Sequence, residues 1–327
     1  MKLRKVISLL TAAVMVAAAA AYVSGCDSGN TAKYKIGICQ LVQHDALDAA
    51  TEGFKDALTE KLGKENVEFV LKNAAGESTT CSTIVNQFVA DKVDLIMANA
   101  TPALQAAVSA TDSIPIVATS VTDYATALDI SDWTGKTGTN VTGTSDLAPL
   151  DEQANMIKEL VPDAKTVGIL YCSAEANSKY QADVIKESLD TLGLGYKVYT
   201  CADSNEVASV TTTACGECDV LYIPTDNTMA SNKAIVDNIA APAGIPVIAG
   251  EEGICKGCGI ATLSIDYYSI GYRAGEMAYD ILINGKKPAD MKIEFASELT
   301  KEYVAERCTA LNITVPDDYI AISIEEE

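Results

Sequence analysis

Five acidic residues stand just beyond short apolar runs or where such runs end: Asp146, Glu175, Asp226, Glu251 and Asp266. A carboxylate in that position can hold an ammonium group or cap a helix, and the same placement serves both. Neutral hydrogen-bonding residues accompany them. Gln40 and His44 follow the run Lys35 to Cys39, Ala100 and Thr101 follow Val93 to Met97, and Thr119 and Ser120 follow Ile114 to Ala118. Asn177 and Ser178 lie beside Glu175, and Asn227 beside Asp226. Backbone N–H groups and hydroxyls at helix starts suit a carboxylate. His44 is the single histidine of 327 residues. It leaves little material for a Ser/His or Cys/His device and reads as a hydrogen-bonding residue at a helix start. Gly-x-Ser-x-Gly, His-Glu-x-x-His and P-loop patterns are absent. The set fits the holding of a small polar ligand that carries a carboxylate better than catalysis. No enzyme activity and no cofactor are expected.

The elements that must position these residues follow from periodicity. Lys35 to Cys39 reads as a buried strand, and Leu47, Ala50, Phe54 and Leu58 then recur at helical spacing, with Asp45 placed to cap that helix. Strand Val67 to Leu71, a helix marked by Cys81, Ile84, Val85 and Phe88, strand Val93 to Met97, a helix capped by Thr101 before Pro102, and strand Ile114 to Ala118 continue the alternation. The order then recurs in Thr166 to Leu170, Tyr196 to Thr200, Cys218 to Tyr222 and Ile245 to Ala249, the last nearly repeating Ile114 to Ala118. Strands alternating with helices imply parallel sheets. The expected fold is therefore α/β, with two doubly wound parallel-sheet lobes joined by a hinge. Thr142 to Ser145 and the end of Ile260 to Asp266 are the expected crossings. In such sheets ligands bind at the carboxyl ends of the strands, and two facing sheets form a cleft that closes by hinge motion. Leu41, Tyr171 and Tyr267 are candidate walls, and Trp133 reads as a surface loop residue.

Lys2, Arg4 and Lys5 precede an uncharged apolar run from Val6 to Val23, the pattern of a secretory signal. Val23-Ser24-Gly25-Cys26 resembles the lipobox of bacterial lipoproteins, in which the cysteine sulfur takes the lipid. The expected organisation is a signal peptide over 1–25, a lipidated Cys26 with a linker to 33, a first lobe of 34–145 plus about 267–290, and a second of 146–266 plus about 291–327. The expected location is the extracytoplasmic face of the cell membrane. A formal charge of −21 argues against nucleic acid, which demands a basic footprint. Aromatic residues make up 6% of the chain, few for the ring stacking that sugar sites use, and this favours an amino acid.

Of ten cysteines, nine remain after Cys26. Cys215/Cys218 and Cys255/Cys258 form two C-x-x-C pairs, open to reading as a zinc site, local disulfides or free thiols. The separation between pairs exceeds ribbon spacing, and no metal is assigned.

The stretch Gly37 to Asp48 resembles the opening of the TrpX-type substrate-binding proteins of ABC transporters, as do Val141 to Asp146, Ile223 to Asn227, Ala249 to Glu252 and Ile265 to Tyr268. The resemblance runs from about Tyr34 to about Pro316. It implies a type I periplasmic-binding-protein fold, a partner permease and, for some members, aromatic amino acids as ligands. Asp45 departs from it, since proline usually follows the histidine, and the cysteine pairs lie outside it. A nucleoside, sugar or peptide ligand, or service as a ligand sensor for a membrane receptor, stays open as an alternative.

Overall fold

A computed structural model describes residues 32–324 of the chain. The expected signal peptide, the expected lipidation site Cys26 and the first part of the expected linker, up to residue 31, lie outside the described residues.

The first lobe starts with β1 (Tyr34–Gln40), α1 (Asp45–Leu62), β2 (Val67–Asn73), α2 (Ser78–Ala90), β3 (Leu95–Asn99), α3 (Thr101–Ala110), β4 (Ile116–Thr119), α4 (Tyr124–Ala127) and β5 (Val141–Ser145). The second repeats this as α5 (Leu150–Leu160), β6 (Thr166–Cys172), α6 (Ala176–Thr191), β7 (Gly195–Cys201), α7 (Val207–Glu217), β8 (Val220–Ile223), α8 (Asn227–Ser231), α9 (Lys233–Ala243), β9 (Val247–Ala249), α10 (Glu252–Cys258) and β10 (Ala261–Ser264). The chain then returns through α11 (Tyr267–Leu282) and β11 (Glu294–Phe295). It ends in β12 (Thr300–Val304), α12 (Ala305–Ala310) and β13 (Ile320–Ile322).

The six-stranded sheet runs β11-β5-β4-β3-β1-β2, and the seven-stranded sheet β13-β12-β10-β9-β8-β6-β7. Strands β1 to β5 in one lobe thus take the same spatial order as β6 to β10 in the other, all parallel. Only the pairing of β10 with β12 is antiparallel among the described strands. The repeat extends to single bonds. Asp94, before β3, accepts from the backbone N–H of Lys35 at 2.7 Å. Asp219, before β8, accepts from those of Lys165 and Thr166 at 2.9 Å. Apolar residues cover both faces of each sheet, as buried parallel strands require.

Three crossings link the lobes. β5 leads to α5, and β10 leads to α11, which packs on α1 of the first lobe. The approach is close: a Cβ at Gly271 would fall 2.0 Å from the Ala50 carbonyl oxygen, and one at Gly53 2.2 Å from that of Tyr268. The small residues in the returning helix are there for this contact. β11 pairs with β5, so the third crossing lies between Phe295 and Thr300, beyond the expected boundary near residue 290.

Three local expectations are corrected. α1 begins at Asp45 itself, with His44 as an N-cap that makes no side-chain capping bond. α3 has Ala100 (φ 90°) as its N-cap and Thr101 as its first residue; the Ala100 N–H is drawn to the Thr119 carbonyl, which turns the chain one residue early. Trp133 does lie in a loop, but it is half-buried against the core of the first lobe rather than at the surface. All nine described cysteines are free thiols. Cys255 and Cys258 lie buried in α10, whose last carbonyls, those of Lys256 and Gly257, accept from Arg307 at 2.8 and 2.6 Å. Among the described residues no group of three or more His, Cys, Asp or Glu side chains is placed to hold a metal ion, and no helix is long and apolar enough to cross a membrane.

Candidate functional site

The carboxyl ends of both sheets face each other, and the loops that leave them meet at one central cavity. The first lobe contributes His44, Leu47, Ser120, Thr122 and Tyr267; the second contributes Asn177, Thr225, Asp226, Asn227, Ala230 and Glu251; Asp146 enters from the first crossing. The lobes are closed, and the space left is about 10 Å³, room for about one water molecule. Across the gap His44 Nε2 lies 3.2 Å from Asn227 Oδ1. Entry of anything larger requires the lobes to part. A groove of about 300 Å³ borders the cavity at Asn227, towards the outer edge of the cleft. An acidic one of about 320 Å³ borders it at Glu251 and Tyr267, on the hinge side.

The electrostatics of the cavity are one-sided. Asp146, Asp226 and Glu251 are each at least 96% buried, and the lining holds no lysine or arginine. Asp226 caps α8, accepting from the Met229 N–H at 2.8 Å, and also accepts from the Cys172 N–H at 2.7 Å. Glu251 caps α10 through the N–H groups of Gly253 and Ile254. Asp146 caps nothing. Its two oxygens accept from the Thr122 hydroxyl at 2.9 Å and the Tyr267 hydroxyl at 3.0 Å. Burial pushes the Asp146 carboxyl up to about 6, against the pull of those hydroxyls, and the charge of Glu251 adds to the rise. Burial also raises Glu251, while the nearby His44 and Lys233 draw it down. Asp226 is raised by burial and by Glu175. Two lining atoms, Ser120 Oγ and Asn177 Oδ1, are buried without a hydrogen-bond partner. Such atoms are costly unless something meets them. The cavity is rich in acceptors and in negative charge.

Of the residues singled out in the sequence, His44, Ser120, Asp146, Asn177, Asp226, Asn227 and Glu251 come together here. The others lie elsewhere. The Gln40 amide bonds Val42 and Asp48 and accepts from Thr51, beneath the cleft. Thr119 Oγ1 is taken by Thr144. Ala100 and Thr101 are buried at the start of α3, outside the lining. Ser178 is buried behind Asn177, its hydroxyl towards the Thr225 carbonyl. Glu175 accepts from the backbone and side chains of both Asn227 and Thr228 at 2.6–3.0 Å, so its charge organises the start of α8. Asp266 is exposed and caps α11 through Ser269. Thr225 and Ala230 were not singled out. Thr225 had a signal, since it stands two residues after the strand residue Ile223 in a motif already noted. Tyr267, read as a wall, acts through its hydroxyl.

The chain is 36% identical over 312 residues to a tyrosine-binding protein of Clostridioides difficile, covering 91% of this chain and 89% of that one. It superposes with a TM-score of 0.84 on an ABC domain from Streptococcus pneumonia in complex with L-Trp, at 33% identity, covering 88% of this chain and 97% of the other. A ligand-free, open substrate binding protein with adhesive properties from Clostridium difficile is more alike in sequence, at 39% identity with 89% and 100% covered, yet superposes at only 0.68. The lobes here are thus arranged more as in the tryptophan complex than as in the open form. The family described as ABC transporter substrate binding protein matches residues 35–325, so this chain belongs to the substrate-binding proteins of ABC transporters and is a binder of solute, not an enzyme.

Proposed function

We propose that the protein is the lipid-anchored, extracytoplasmic substrate-binding component of an ABC importer, and that it closes on an amino acid, an aromatic one foremost. The observation that carries this is the burial of Asp146, Asp226 and Glu251 in a cavity with no lysine or arginine in its lining. Uncompensated buried charge is expensive, and a ligand ammonium offsets it. Asp146 is the partner for that ammonium, because the other two carboxylates are engaged at helix starts. The Ser120 hydroxyl is available to a ligand carboxylate. A neutral sugar or nucleoside would bring no cation to Asp146, whereas Glu251 already has His44 and Lys233 nearby. The names of the relatives that bind tyrosine and hold L-Trp support an aromatic side chain. The basic, apolar and Cys26 segments at the N-terminus support membrane tethering beside a permease.

Titration calorimetry tests the ligand. L-tyrosine or L-tryptophan should bind, and 3-(4-hydroxyphenyl)propanoate, which lacks the ammonium, should bind about 100-fold more weakly or not at all. Absence of heat with all of the common amino acids would sink the reading.

Asp146→Asn should weaken amino-acid binding by about 30-fold or more, since the ion pair is buried. The same change should stabilise the ligand-free protein. The Asp146 carboxyl titrates near 6 when folded against 3.8 as its ordinary value. Folding therefore favours the protonated form, and the charge costs nothing below about pH 4, a growing amount between pH 4 and 6, and its full amount above. Urea unfolding at pH 7.5 should show the variant more stable by about 1–3 kcal/mol, with the gap closing as the pH falls to about 4. A variant less stable than the parent at pH 7.5 would contradict this.

Cys26→Ser should release the protein from membranes into the soluble fraction. Retention of that variant with the membrane would argue for an uncleaved apolar helix instead.

A further inference from the structure

Asp45 opens α1 in the first lobe, and Lys233 opens α9 in the second, 188 residues away. Lys233 Nζ lies 2.5 Å from Asp45 Oδ2. The pair is part-sheltered, with side-chain exposures of 24% for the lysine and 50% for the aspartate. Neither residue lines the cavity. The lysine stem runs close along α10: a Cβ at Gly257 would lie 2.4 Å from Lys233 Cδ and 2.5 Å from Cγ, so a side chain there would displace the stem. The aspartate rests against the same helix, where a Cβ at Gly253 would lie 3.3 Å from Asp45 Oδ2. Beside this ion pair stands the His44 to Asn227 contact, across the same gap. Two adjacent residues of one lobe thus reach two different helices of the other.

We propose that the Asp45–Lys233 ion pair is an electrostatic latch on the closed form, which sets how fast the cleft reopens and the ligand leaves without touching the ligand. Both residues are positioning residues, acting through the lobe arrangement. An ion pair that forms only on closure favours the closed state by its own free energy. Part-exposed pairs of this kind are modest and screened by salt, which suits a latch that must open at each transport cycle. It also accounts for the glycine of the Cys255-Lys-Gly-Cys258 motif, which neither metal nor disulfide chemistry absorbs.

The part of the proposal that concerns release rests on the amino-acid reading above. The test is the dissociation rate of L-tyrosine by stopped-flow fluorescence, on Asp45→Asn, Lys233→Met and the charge swap Asp45→Lys/Lys233→Asp. Each single variant should release tyrosine about two- to fivefold faster at low salt, with the association rate unchanged and the difference lost in about 0.5 M salt. The swap should recover slow release, which a merely structural role for either residue would not produce. Single variants as slow as the parent, or a swap as fast as the singles, would overturn the latch. If the parent takes up neither tyrosine nor tryptophan, the ligand reading fails, and the latch is judged on ligand-free protein by solution X-ray scattering. Both single variants should then show a larger radius of gyration than the parent at low salt, and identical scattering would overturn the latch.

Discussion

Three carboxylates buried together without a lysine or arginine among them set the terms for the rest of this molecule. Asp146, Asp226 and Glu251 meet where two sheets point their carboxyl ends at each other. Their burial at the junction of the lobes takes them out of water, which disfavours their charged forms and pushes Asp146 up to about 6. The closed state is therefore incomplete in charge, and a cationic group is what completes it. The hinge shares the same bonds. Asp146 stands at the first crossing between lobes and Tyr267 at the second, and the hydroxyl of one donates to the carboxylate of the other. A charge arriving at Asp146 acts on the junction about which the lobes turn.

The other acids explain why the junction can be so lean. Asp226 and Glu251 are secured by backbone N–H groups of the helices they cap. Glu175, one residue before α6, spends its charge on the start of α8. Asp226, Glu251, Glu175 and Asp266 each serve a helix start, while the side-chain partners of Asp146 are the hydroxyls of Thr122 and Tyr267. In the proposed reading, it is that difference in partners, rather than the number of acids, that singles out Asp146 for a ligand cation. At the rim, opposite charges on Asp45 and Lys233 meet in a wetter setting, where the interaction is weaker and reversible.

The architecture was legible because buried parallel strands leave β-branched runs, and because the chain writes the unit twice. Asp94 and Asp219 mark the same point in both copies, each bonded to the start of its neighbouring strand. The site was half legible. Capping a helix and holding a ligand call for the same residue types just after a strand, so Asp146 and Asp266 look alike in sequence. One is buried at the cavity; the other is an exposed cap. Gln40 and Thr119 were drawn in for the same reason, but their polar groups are spent on neighbours that only the packing reveals. Asp45 shows the limit most clearly. In sequence it reads as the cap of α1, but it is the first residue of that helix, and its side-chain partner lies 188 residues downstream on another lobe. The cysteine pairs, left open in the sequence between zinc, disulfides and free thiols, are free thiols: Cys218, Cys255 and Cys258 lie in the core and Cys215 packs against it.

The claim that a ligand cation completes the charge of the closed cleft is tested most directly by proton release. An ammonium beside Asp146 favours its ionised form, so binding should expel the proton that the raised carboxyl holds near pH 6. Calorimetry of tyrosine binding in buffers of different ionisation enthalpy should find about half a proton released at pH 6 and almost none at pH 7.5. Proton uptake at pH 6, or no difference between the two pH values, would contradict the account.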